Sequence, residues 1–379
     1  MEPPLHPHSS YPLMEALMEE LIEEILLRTP PDEPAYLMRA TLVCKAWRII
    51  LFNRGFLRRY REFHKTPPLL GYLFYYNTSI VPQFVPISLA STFSPPEAYD
   101  DRTCLDYRHG RAIYIYARRS YIIWDPITGD KHLIMVPATY HHSYYTIMER
   151  GYYCTATVLC AVDGCDHLNC HGGPFHVIFV ETYIVNGVLV AWTSMYSSAT
   201  CTWSTSTSIN VDNHIDGTRC LLIGASLYVP LEHGISILKY DLSSHGLSLV
   251  NTPRMSRAIM MKADDGGLGF AVVLENCIYL MSWEASANGI GGWAQQKAIE
   301  LETLLPKSLD PSYPHEVIGY VEGTHTIFIS TDAGLFTLEL KSGLLRKVGK
   351  RDAYYSIIPY TNFYTPDGVC AQESHQLGL

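Results

Sequence analysis

The chain has 379 residues, 47% of them hydrophobic, which is enough for two or three domains with real cores and argues against a disordered chain. A formal net charge of −9 and a pI near 6.0 give no reason to expect a nucleic-acid partner. No run reaches the ~18 consecutive apolar residues of a membrane span: the stretch from Leu268 to Met281 is interrupted by Glu275 and Asn276. The opening ten residues lack the basic and apolar regions of a secretory signal, so the ten cysteines read as reduced intracellular thiols.

Residues 1–12 read as a disordered N-terminus and residues 13–65 as a small all-α, three-helix domain. Leu17, Leu21 and Ile25 recur at i, i+4 and i+8, with Met18, Ile22 and Leu26 in the adjacent row. Glu19, Glu20, Glu23 and Glu24 fill the wet side. Pro30-Pro31 ends this helix, and Asp32-Glu33-Pro34 opens the next with acid and proline in its first turn. The second helix carries Leu37, Ala40, Val43, Cys44 and Trp47. Asn53 to Gly55 is a break, and Phe56 to His64 a third helix. Acid lies before Pro34 and base from Arg39 to Lys65, the pattern of two solvated faces. The apolar stripe is wider than three helices need, which leaves surface for a partner.

After Thr66-Pro67-Pro68 the grammar changes. Residues 66–379 are rich in Tyr, Val, Ile, Thr and Gly, in short runs bounded by turn residues. Ala112–Trp124, Phe175–Trp192, Cys220–Tyr240, Leu268–Trp283 and Val317–Leu340 read as strand pairs. Gln295–Leu305 is the single helical candidate. Trp124-Asp125, Tyr240-Asp241 and Leu338-Glu339 occupy the same place in three similar hairpins, with Trp283-Glu284 midway between the last two. The period is about 45–50 residues, that of four-stranded propeller blades. A further match near Trp192 to Ile209 implies an insertion between it and Trp124. Four to six blades are expected, the first, near Leu70 to Leu89, being vague. The repeated acid fits a turn device that binds backbone N–H groups better than a catalytic carboxylate.

Several groups could carry chemistry. Cys160, Cys165, His167, Cys170, His171 and His176 cluster in sequence. They lack the Cys-x2-Cys or His-x3-His pairs of common zinc sites, so the spacing favours loop cysteines over a metal. His141-His142-Ser143 has no nucleophile signature around it. Gly266-Gly267-Leu268-Gly269 leads into a strand, so it offers no helix N-terminus to phosphate. Asn77-Thr78-Ser79 matches a glycosylation acceptor, a triplet without meaning in an intracellular chain. No cofactor or metal is expected. The 27 tyrosines suit a recognition surface or a propeller core equally.

The first block resembles an F-box. Leu17, Glu20, Leu21, Ile25, Leu26 and Pro30, then Leu37, Ala40, Val43, Cys44, Lys45 and Trp47, match that family's pattern. Met18 and Thr29 depart from it, standing where the family has proline and leucine. "LVCKAWRIILFNRGFLRRYREFH" is similar to the large plant families, those of grasses above all, and the β-rich remainder resembles the domain that accompanies such F-boxes. The resemblance implies an α+β multidomain chain, with a helical F-box followed by a mainly-β propeller-like domain. It implies a non-enzymatic substrate receptor of an SCF-type (Skp, cullin, F-box) ubiquitin ligase. The Skp adaptor would meet Leu17, Met18, Glu20, Leu21, Ile25, Leu26, Leu37, Val43, Cys44, Trp47 and Ile50. A cullin would join through the adaptor, and the β domain would bind a target protein. No nucleic acid or membrane enters this scheme, and the setting would be cytoplasmic, nuclear or both. The alternatives are a non-ligase interaction scaffold, and a propeller hydrolase with paired carboxylates in one cavity.

Overall fold

The structure, a computed structural model, describes residues 11–76, 83–87, 103–117, 120–126, 128–137, 153–234, 236–252, 257–284, 292–306, 310, 313–352 and 354–363. Asn77-Thr78-Ser79 and His141-His142-Ser143 lie outside the described residues.

Four helices come first, not three: α1 (Tyr11–Leu27), α2 (Pro34–Ala40), α3 (Lys45–Leu51) and α4 (Arg54–His64). The first begins before residue 13, within the segment expected to be disordered. The expected second helix is broken at Thr41–Cys44. There the Thr41 hydroxyl bonds back to the Met38 carbonyl at 2.7 Å, and Cys44 is fully extended (φ −160, ψ 168) as it enters α3. A β-branched pair, Thr41 and Val43, weakens the helix at that point. Asn53 caps α4, its side chain accepting from Gly55 N at 2.7 Å and Phe56 N at 3.3 Å. The helices close over Leu26, Leu27, Leu37, Leu51, Phe56, Leu57 and Tyr60. The acidic and basic segments meet: Arg59 on α4 pairs with Glu23 at 2.7 Å and Glu24 at 3.0 Å on α1.

Six sheets follow. β1 (Leu69–Tyr76) and β2 (Gln83–Pro86) precede blade 2, made of β3 (Cys104–Arg108), β4 (Arg111–Ala117), β5 (Ser120–Trp124) and β6 (Lys131–Met135). Blade 3 holds β7 (Cys154–Cys160), β8 (Phe175–Val185), β9 (Val188–Ser197), β10 (Thr202–Trp203) and β11 (Thr207–Asn210). Blade 4 holds β12 (Leu221–Ile223), β13 (Ser226–Pro230), β14 (Ser236–Asp241) and β15 (Leu247–Asn251). Blade 5 holds β16 (Ile259–Lys262), β17 (Leu268–Leu274), β18 (Cys277–Glu284) and β19 (Gly292–Glu300). Blade 6 holds β20 (Glu316–Val321), β21 (Thr326–Thr331), β22 (Gly334–Glu339) and β23 (Leu345–Gly349). The last strand, β24 (Tyr354–Thr361), returns to pair with β1, which pairs with β2, and completes blade 1. β24 also runs beside β20 and β3, so a six-bladed propeller closes on strands from both ends of the sequence.

The cores lie between neighbouring blades. Ile113 and Ile123 meet Val158 and Phe179; Ile178 and Val180 meet Leu227 and Leu238; Tyr72 and Ile357 meet Phe328 and Leu335. Tyr72, Tyr107, Tyr114, Tyr121, Tyr240, Tyr320 and Tyr360 are buried, so these seven of the 27 tyrosines fill the propeller cores. Gln295–Leu305 is not helical. It forms the end of β19 and a 3-10 turn, because pairing of Ile299 with Ile278 and Trp293 with Trp283 overrides local helix preference. The repeated acids stand at the ends of third strands. Asp241 accepts from Ser243 N at 3.1 Å and Ser244 N at 2.8 Å, as a turn device does. No helix among the described residues is long and apolar enough to cross a membrane.

Candidate functional site

The helical module exposes a row of its own apolar residues. Met18, Leu21 and Ile25 on α1, at i, i+3 and i+7, are 59%, 65% and 63% exposed. α3 packs beside α1, and around it Leu42, Val43 and Ile49 are exposed as well. Glu20 and Cys44 are exposed; Trp47 and Ile50 are half-buried against the helical core. Leu17 lies within α1. Leu26 and Leu37, at 2% exposure each, are core residues, so they support the surface and do not form it. Sequence reasoning missed Leu42 and Ile49, because a continuous second helix would have aimed them differently. The threonine and valine flanking Leu42 were the available signal of a break.

The module is not detached from the propeller. Phe363, just past β24, and Leu168, from the loop between β7 and β8, pack into the same cluster as Leu26, Leu51 and Tyr60. Arg346 and Asp32 add an exposed pair at 3.6 Å.

Around the propeller axis the strands bring charges together. Asp106 on β3 is fully buried. Its Oδ1 accepts from Arg219 Nε at 2.5 Å and from Tyr107 N at 2.9 Å, and its Oδ2 accepts from the Thr157 hydroxyl of β7. Arg108 donates to Thr157 Oγ1 at 3.0 Å, to Cys220 O at 3.1 Å and to Glu322. Burial pushes the Asp106 carboxyl up, but the Arg108 and Arg219 charges and the Thr157 and Arg219 hydrogen bonds outweigh it and hold the carboxyl below its ordinary value. The network links blades 2, 3, 4 and 6. Beside it a cavity of about 450 Å³ opens between blades 4, 5 and 6, lined by Arg219, Arg257, Met260, Phe270 and Tyr320 among others.

The fold also gathers residues that the spacing argument kept apart. Cys160, Cys165, His167 and Cys170 place their sulfur and nitrogen atoms within 4.8 Å of one another. The loop that carries them is pinned to blade 2. His171 Nδ1 lies 2.9 Å from Asp125, Arg111 donates to Gly173 O at 2.6 Å, and His109 Nδ1 accepts from Cys160 N at 3.0 Å. Asp125 therefore serves its own turn, accepting from Thr128 N at 3.3 Å, and this loop as well. His176 stands on β8, outside the cluster.

No protein-family model and no curated protein matches the chain. Among solved structures it is similar to the β-propeller domain of Cps50 (Swd1) from Myceliophteria thermophila, with TM-score 0.39 and 10% identity over 72% of this chain and 82% of that one. It is similar to TolB from Acinetobacter baumannii at TM-score 0.38 and 12% identity, over 79% and 69% of the two chains. The WD40 domain of SCAP from fission yeast gives TM-score 0.36 and 11% identity, over 68% and 56%. At these values none of them lends this chain a function or a residue role.

Proposed function

We propose that this chain is the substrate-receptor subunit of an SCF-type ubiquitin ligase. The helical module docks on the Skp adaptor, and through it on a cullin, while the propeller holds a target protein. The chain contributes proximity, and the ligase chemistry sits on other subunits. One observation carries the reading: Leu21, Ile25 and Val43, which match the F-box-like pattern, and Met18, which departs from it, are exposed apolar residues on a small helical module. A solvated module has no use of its own for such a row, and an amphipathic partner groove does. The axis also favours recognition over hydrolysis, because both oxygens of Asp106 are engaged by Arg219, Tyr107 and Thr157. The cavity between blades 4 and 6, with arginine and aromatic walls, offers the target a recess.

The test is co-expression of the full chain with a Skp adaptor and capture on this chain. The wild type is expected to bring the adaptor down. Leu21→Glu with Ile25→Glu is expected to cut recovery at least about tenfold, equivalent to about 1.4 kcal/mol, with an unchanged melting temperature because both positions are exposed. Equal recovery by the double variant would overturn the proposal.

A further inference from the structure

We propose that Cys160, Cys165, His167 and Cys170 bind one zinc ion, and that this ion staples the β7–β8 loop, and through Leu168 the propeller, to the helical module. The site stands whether or not the helices dock an adaptor.

The atoms already trace the polyhedron. Cys165 Sγ and Cys170 Sγ are 3.7 Å apart, Cys170 Sγ and His167 Nδ1 are 3.5 Å apart, and all four donor atoms fall within 4.8 Å of one another. A tetrahedral zinc with Zn–S near 2.3 Å and Zn–N near 2.1 Å has edges of about 3.8 Å between sulfurs and about 3.6 Å between sulfur and nitrogen. These two edges therefore match zinc ligation, and no other donor pair is more than 4.8 Å apart. Three sulfurs and one imidazole are a soft donor set, which suits zinc and not calcium or magnesium. Four protein donors fill a tetrahedron and leave no open position, the signature of a structural site.

The loop is built to present these atoms. Its backbone takes positive φ at Gly164 (66), His167 (60) and Gly172 (70), folding the chain back on itself. The His167 N–H points at Cys165 Sγ at 3.4 Å, an outer contact of the kind that orients a thiolate. The His109 ring stacks on His167 at 3.9 Å and 7°, while its Nδ1 receives the Cys160 N–H. One histidine of blade 2 thus steadies two of the four ligands. The loop has little core of its own: Cys170 is buried, whereas Val162, Asp163, Gly164, Asp166 and His167 are exposed. Such a segment gains its order from a staple. Leu168, between two ligands, is the residue that reaches the helical cluster.

The full chain, expressed with zinc and purified without chelator, would be assayed for metal and for intact mass without reductant. One zinc per chain with no disulfide is expected. Cys165→Ser and Cys170→Ser should each lose the metal, and Cys201→Ser, an exposed cysteine outside the cluster, should keep it. Cobalt exchanged into wild-type protein should show the visible bands of a tetrahedral thiolate site, so the assignment survives even if a serine variant fails to fold. Amide exchange in α4 should speed up when the metal is removed. A chain that takes up no zinc with its thiols reduced, a Cys165–Cys170 disulfide, or zinc retained by both serine variants would overturn the site. Unchanged exchange in α4 would overturn the stapling role.

Discussion

Tyr60 on α4 and Phe363, two residues past β24, meet edge to face with ring centroids 6.2 Å apart and planes at 76°. The helical core is thus completed by a side chain from the far end of the sequence. Tyr60 also donates to the Thr29 carbonyl at 2.8 Å, so the pair locks the turn after α1 as well. Phe363→Ala should destabilise the helices by about 3–5 kcal/mol, as for a buried aromatic, and leave the blades intact. A melt followed separately by far-UV helical signal and by tryptophan fluorescence should split into two transitions. A single unshifted transition would count against the coupling.

Trp47 is half-buried on the same cluster. Its truncation to alanine should cost about 2 kcal/mol, less than the about 3–5 kcal/mol of a fully buried aromatic. Because it borders the exposed row, Trp47→Ala should also lower adaptor recovery more than Cys165→Ser does. Pull-down of both variants at matched concentration checks the order.

Asp106→Asn leaves Arg108 and Arg219 facing Glu322 without their central carboxylate. A buried network broken in this way loses about 3–5 kcal/mol. The acid response follows from the same group. The folded carboxyl is held below 3.8, so the unfolded chain takes up its proton first. Its stabilising contribution is present above that value and is lost as pH falls through the folded value. Urea midpoints should therefore drop on acidification below about pH 4, and Asp106→Asn should flatten that drop. An equally steep fall in the variant would assign the acid sensitivity elsewhere.

Gly71 on β1 lies opposite Pro86 of its antiparallel neighbour β2. A methyl there would meet the Phe84 ring and stand 2.7 Å from the Val85 carbonyl oxygen. Gly71→Ala should loosen the closing blade by about 1–3 kcal/mol through overpacking. Shortening the ring at Phe84 in the same chain (Phe84→Leu) should recover part of the loss, which a paired thermal melt would register.

The blades were readable where the signal is local. Trp124-Asp125, Tyr240-Asp241 and Leu338-Glu339 each mark the end of a third strand, since an acid that binds its own turn depends on near neighbours alone. Blade 1 was vague because β1 and β24, paired through Tyr72 with Pro359 and Leu73 with Ile358, lie too far apart in sequence for any window to join. The helix break at Thr41 was hidden by a good helical spacing from Leu37 to Trp47. The Cys/His cluster was visible in the sequence, but the approach of its donor atoms was not. Ligand spacing reports on regular hairpin knuckles, whereas here the approach is made by positive-φ turns at Gly164 and His167 and by the His109 ring from another blade.

A ring closed by β1 and β24 also dictates an order of events during synthesis. Until residues 354–361 have emerged from the ribosome, β1, with its run of Leu, Tyr and Phe, holds an unpaired edge that any other strand can take. The helices made first wait as well, since Phe363 arrives later still. Until then the propeller is an open arc, exposed to mispairing and dependent on whatever shields hydrophobic edges in the cell. A nonsense mutation just before Tyr354 would leave an unclosed ring, not a slightly shorter protein.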